Sequence, residues 1–137
     1  MAWSRIFVMT ILLLCSTTAQ SQRNTEAEAC FDVGGNADAR TCLEAHFKKS
    51  EKALLVAESK AISEIKTWDE SESVRSHSSA SLEVSLKAFR SYRTKQCAFI
   101  ASLAAGGTGT SHRRLLCEIE LNKKQIDYLQ EVKNSIQ

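Results

Sequence analysis

A chain of 137 residues with 43% hydrophobic side chains supports one domain, and 18 basic against 16 acidic side chains leave it a net charge of only +2. That balance gives no field strong enough to hold nucleic acid nonspecifically, so a nucleic-acid partner is not expected. The sequence contains no proline, and nothing in it forbids long helices.

Arg5 precedes an apolar run from Ile6 to Leu14, which ends in Cys15-Ser16-Thr17-Thr18-Ala19. A run of about ten residues is too short to cross a bilayer and has the length of a secretory core segment. Small side chains at Thr17 and Ala19 suit a signal peptidase, which makes residues 1–19 the export signal and 20–137 one periplasmic or secreted domain without a membrane span. Cys15 is a rival lipidation site, disfavoured by the bulky Leu13-Leu14 before it.

Cleavage removes Cys15 and leaves Cys30, Cys42, Cys97 and Cys117. Four thiols in an oxidising compartment imply two disulfides, and three pairings are open to them. The two short loops are favoured, Cys30 with Cys42 and Cys97 with Cys117, each stabilising by about 3 kcal/mol. No C-x-x-C pair occurs, and His46, His77 and His112 are scattered. Neither a metal nor a cofactor is therefore expected.

Gly34-Gly35-Asn36-Ala37-Asp38 offers turn residues and a cap for a first helix. From Asp38 to Trp68, the residues Leu43, Phe47, Leu54, Ala57, Ala61, Ile65 and Trp68 recur with the spacing of one helical face. A bridge from Cys30 to Cys42 would pin an irregular N-terminal arm to that helix. Ser71 to Ser85 is serine-rich, and its first half reads as a connection. Leu82, Leu86, Phe89, Arg93, Cys97, Ile100 and Leu103 then form a second stripe, with Val84 and Tyr92 on its flanks. Gly106-Gly107 stops it, since glycine takes the left-handed C-cap conformation without steric cost. Leu115, Ile119, Asn122, Ile126, Leu129 and Ile136 form the third stripe, which Thr110 or Ser111 can cap. The expected fold is all-α, an antiparallel up-down-up three-helix bundle stapled by two disulfides. Antiparallel packing of the second and third helices puts Cys97 and Cys117 at one level, which is the geometric reason to pair them.

Phe89-x-x-Tyr92-Arg93-x-x-x-Cys97, Gly106-Gly107 and Cys117-x-x-x-Leu121 together resemble the LprI-like lysozyme-inhibitor family of small exported bacterial proteins. The specific part runs from Phe89 to Leu129; Cys42, Glu51 and Leu54 are compatible with the rest. Phe89 stands where that family usually has tryptophan, Leu55 where asparagine often stands, Glu58 where tyrosine is common and Gln125 where arginine is frequent. The resemblance implies a helical domain whose protein partner is a lysozyme.

Tyr92 is expected to pack its ring on a neighbouring helix, and Arg93 to pair with a carboxylate such as Glu51 or Glu118. The glycine-rich turn leads into His112, Arg113 and Arg114, whose positive charge opposes the dipole of the helix they begin. Solvent exposure and an Arg114–Glu118 pair one turn apart account for part of this. Lysozymes cut glycan with two carboxylates in a cleft, so a projecting turn carrying Thr110, Ser111, His112 and Arg113 would block that cleft by occlusion. No paired-carboxylate motif, Ser-His-Asp pattern or phosphate loop is legible, which argues against an enzyme. The other reading is an envelope interaction or immunity protein that binds a different exported enzyme.

Overall fold

The computed structural model describes residues 25–136. The expected export signal and cleavage site, and Cys15, lie outside the described residues. The described chain comprises α1 (Thr25–Glu28), a 3-10 turn (Ala29–Asp32), α2 (Asn36–Thr67), α3 (Glu72–Ser102) and α4 (Gly109–Ser135), with no strand among the described residues.

The all-α class holds, with four α-helices in place of the three expected. The extra element is the N-terminal arm, which is not irregular. Its α1 and 3-10 turn fold across one end of the bundle, where Ala27 and Cys30 are wholly buried against Leu43 and Ile119. The Cys30–Cys42 bridge, with Cα atoms 5.6 Å apart, holds that arm on the first turns of α2. The chain reaches α2 through Gly34, whose φ of +119° a residue with a Cβ rarely adopts. A Cβ there would also come within 2.8 Å of an Asp38 carboxylate oxygen.

Between α2 and α3 the connection is shorter than the serine content suggests. Ser71 caps α3, its Oγ accepting from the Val74 N–H at 3.3 Å, and Glu72 in the first turn favours the helix dipole. Arg75 donates to the carbonyls of Trp68 and Glu70 and to the Glu72 carboxylate, closing the turn behind the cap. With the start secured and no glycine or proline to interrupt it, the serine-rich stretch is helical. Ser73, Ser76, Ser81 and Ser85 sit on the solvent side.

The other end of α3 also departs from expectation. The helix stops at Ser102, ahead of the glycines; Leu103 is its C-cap and is 56% exposed instead of closing the core stripe. Gly106 adopts φ +81° inside the following turn, and Ala105 beside it takes φ +52°. Thr108 occupies the N-cap of α4 without a side-chain cap bond. Neither expected cap acts as one: the Ser111 hydroxyl donates back to the Thr108 carbonyl at 3.3 Å, and Thr110 Oγ1 is buried without a partner.

Helix directions follow from what meets what. His112 in the first turn of α4 reaches Asn36 at the start of α2, and Lys133 reaches Glu64 near the end of α2, so these helices run parallel. Arg90 meets Glu58 and Arg93 meets Glu51, so α3 runs the opposite way. Two apolar clusters result, one of Ala27, Cys30, Leu43 and Ile119, the other of Leu54, Ala61, Leu86 and Leu129. Cys97 and Cys117 are joined, with Cα atoms 5.5 Å apart, so both expected pairings are present.

Adjacent leucines on α2 separate core from surface. Leu54 is 2% exposed and Leu55 is 55% exposed. Leu54→Ala should cost about 2–5 kcal/mol in denaturant unfolding, and Leu55→Ala no more than about 0.5 kcal/mol. Replacing Cys97 and Cys117 together with serine should lower stability by about 3 kcal/mol, the loop-closure value for their separation of 20 residues.

Candidate functional site

Arg93 crosses the middle of the bundle with its side chain only 12% exposed. Its guanidinium donates to the Glu51 carboxylate on α2 and to the Asn122 side-chain oxygen on α4. Asn122 is wholly buried, and its amide donates to Ser50 Oγ at 3.0 Å and to Glu51 Oε1 at 2.8 Å. Phe89, one turn earlier on α3, lies under the guanidinium at 5.9 Å and packs against the Leu54 cluster. Of the two carboxylates expected for Arg93, Glu51 is the one used; Glu118 is taken by Arg114 at 3.1 Å. Arg93 is thus committed inside the domain. Sequence reasoning placed Asn122 on the third stripe without a role, although a lone amide at a core register position was the available signal.

At the turn end, the expected contact residues separate into two kinds. His112 is 6% exposed; its Nε2 donates to the Asn36 carbonyl at 3.1 Å, and its ring meets the edge of Phe31 at 5.6 Å. It braces α4 on α2 and does not face outward. Thr110 keeps its hydroxyl buried, and Ser111 is half-buried and bonded to the turn. Arg113 is exposed, and no carboxylate pairs with it among the described residues. Gly106 and Gly107 are exposed at the tip, where the Gly107 N–H donates to the Ala104 carbonyl at 3.3 Å.

Beside the turn, α3 and α4 leave a shallow groove of about 480 Å³. Tyr92, Gln96 and Ile100 line one wall and Arg113, Leu116 and Glu120 the other, with Cys117 among its lining. Tyr92 is 53% exposed at the groove edge, contrary to the expectation that its ring packs on a neighbouring helix. The cause is its place on α3: the core side of that helix is taken by Arg93 and Cys97. Elsewhere, the ligand-type atoms of Cys30, Cys42 and His46 lie within 4.8 Å of one another. Both sulfurs are bonded to each other, so neither is a thiolate available to a metal.

The family described as lysozyme inhibitor LprI matches residues 15–129. The chain belongs to the LprI family. The matched span holds both disulfides, the Arg93 network and the turn before α4, so the features that shape this LprI domain are all inside it. No curated protein and no solved structure matches the chain.

The network yields a prediction that separates it from surface pairs of this LprI protein. Glu51→Ala strands the Arg93 guanidinium and should cost about 2–3 kcal/mol, reduced from the fully buried range because Glu51 is 35% exposed. Glu44→Ala removes an exposed partner of Arg40 and should cost no more than about 0.5 kcal/mol. In a double-mutant cycle, Glu51 and Arg93 should couple by at least about 1 kcal/mol.

Proposed function

We propose that this protein is exported to the periplasm or beyond the cell and inhibits a lysozyme by seating its turn end in the enzyme's active-site cleft. The inhibitor does no chemistry; it excludes the glycan. The observation that carries this reading is Arg113, an exposed cation without an ion-pair partner among the described residues, beside a turn whose flanking helices are joined by Cys97–Cys117.

Four observations support this reading. A lysozyme cleft holds two carboxylates, which a guanidinium can engage by charge-assisted hydrogen bonds. A backbone held by a disulfide loses little further freedom on binding, so more of the contact energy appears as affinity. Family membership supplies the enzyme class, and two disulfides suit an oxidising compartment. Ser111 is the neighbouring hydroxyl that assists; His112 acts from within, holding the start of α4 on Asn36 and Phe31, and Thr110, its hydroxyl buried, does not face the partner.

Arg113→Glu should weaken inhibition at least about tenfold, since it sets like charge against the cleft carboxylates. The melting temperature should stay nearly the same, because Arg113 is exposed and unpaired among the described residues and lies just past the first turn of α4. Lys52→Glu, which reverses an exposed charge on α2, should leave inhibition within about twofold. Enzyme turnover titrated with each variant, beside thermal unfolding, measures both. Unchanged inhibition by the Arg113 variant would move the contact elsewhere, and a parent protein inactive against every lysozyme type would favour the immunity or adaptor role.

A further inference from the structure

Acidic residues are absent from the whole stretch between Glu83 and Glu118, although the chain overall is nearly balanced in charge. That stretch carries Lys87, Arg90, Arg93, Lys95, Arg113 and Arg114. Three of these are met by carboxylates at or beyond its borders, Arg90 by Glu58, Arg93 by Glu51 and Arg114 by Glu118. Lys87, Lys95 and Arg113 are exposed and have no ion-pair partner among the described residues.

The same helix bears a second apolar line. Val84, Ala88, Tyr92, Lys95, Phe99 and Leu103 follow one another at steps of three or four residues, which places them along one face. Val84 is 70% exposed, Tyr92 53%, Phe99 57% and Leu103 56%. At 100° per residue this line lies roughly half a turn from the buried side of α3, where Leu86, Cys97 and Ala101 sit. It extends over about 28 Å and joins the α3–α4 groove at Tyr92, which shares that groove with Arg113.

We infer that the outer face of α3 is the main docking surface for the inhibited enzyme, and that the enzyme surface it takes carries carboxylates beside apolar side chains. This rests on the inhibitor reading and names the part of the partner involved. Charge selects the occupant. A second copy of the chain would set Lys95 and Arg113 against their own kind, a repulsive arrangement, whereas an acidic surface neutralises both. Lys95 stands in the middle of the apolar line, where a lipid surface would have to accommodate its charge among the acyl chains but a protein carboxylate can pair with it. Tyr and Arg are the residue types that dominate protein interface energetics, and Tyr92 and Arg113 stand together at the groove. In this arrangement α3 anchors the complex and the adjoining turn covers the cleft.

The test uses the full exported protein and a lysozyme that the parent inhibits, with binding followed by calorimetry. Tyr92→Ala with Phe99→Ala should weaken binding at least about thirtyfold, the range of interface hot spots, and Lys95→Glu at least about tenfold. Helical content and melting temperature should hold, as all three side chains are exposed. Leu55→Ala with Val56→Ala, an equally exposed apolar pair on α2, should leave binding within about twofold. Parent-like binding by the α3 variants, with inhibition by the parent intact, overturns the docking surface alone. Equal loss in the α2 pair overturns it as well, by exposing nonspecific adhesion. So does parent binding to vesicles of anionic phospholipid that the α3 variants abolish while enzyme binding is unaffected. A parent that inhibits no lysozyme overturns the inhibitor reading and takes this partner assignment with it.

Discussion

A guanidinium with only 12% of its side chain in water must be met by charge and by acceptors, or its desolvation opposes folding. Arg93 is met by Glu51 from α2 and Asn122 from α4, and Asn122 in turn holds Ser50 and Glu51. One side chain thereby ties the three long helices at one level. The apolar clusters on either side of it, around Leu43 and around Leu54, are built of small and aliphatic groups that tolerate several packings. The polar contacts tolerate one. They make register the property that the network contributes, in the way that a buried polar residue selects one alignment of a coiled coil.

Both disulfides act at the end of the bundle where α2 and α4 begin and α3 ends. Cys30–Cys42 keeps the N-terminal arm over Leu43 and Ile119, and Cys97–Cys117 joins α3 to α4 across the turn. That second staple matters for the turn itself. Ala105 sits in the left-handed region at φ +52°, at a cost of about 1–2 kcal/mol that only a well-determined surrounding structure sustains. The start of α4 likewise breaks local rules, with no side-chain cap and three basic side chains in its first turns. Tertiary contacts resolve two of the three: His112 is absorbed between Asn36 and Phe31, and Arg114 by Glu118. Arg113 is left exposed and without an ion-pair partner among the described residues, which is why the proposed contact is placed there.

The proposed occlusion calls for an element that binding does not have to order, and the long helices clamp both sides of a short turn. Beyond Glu83 on α3 and through the turn no carboxylate accompanies the basic side chains, whereas α2 and the part of α4 from Glu118 onward carry both signs.

Much of this was legible in one dimension because helical periodicity and short cysteine loops are local properties. The stripes through Leu43, Leu86 and Ile119, the two disulfide pairings, the need of Arg93 for a carboxylate and the Arg114–Glu118 pair all follow from spacing along the chain. Periodicity marks a face but does not say what covers it. Spacing alone does not show that the N-terminal arm packs on Ile119, or that the Ser71 cap and Arg75 secure the start of α3. Tyr92 and His112 were each placed on the wrong side of the surface. Whether a side chain is buried depends on which neighbour arrives there: the arm bearing Phe31 covers His112, while the α3–α4 groove leaves Tyr92 53% exposed. Composition and spacing determined the class, the staples and the charge; only the assembled bundle decided that Arg113 would stay exposed and without an ion-pair partner among the described residues, beside a second, uncovered line of apolar residues on α3, because burial is a property of contacts between segments and not of any one of them.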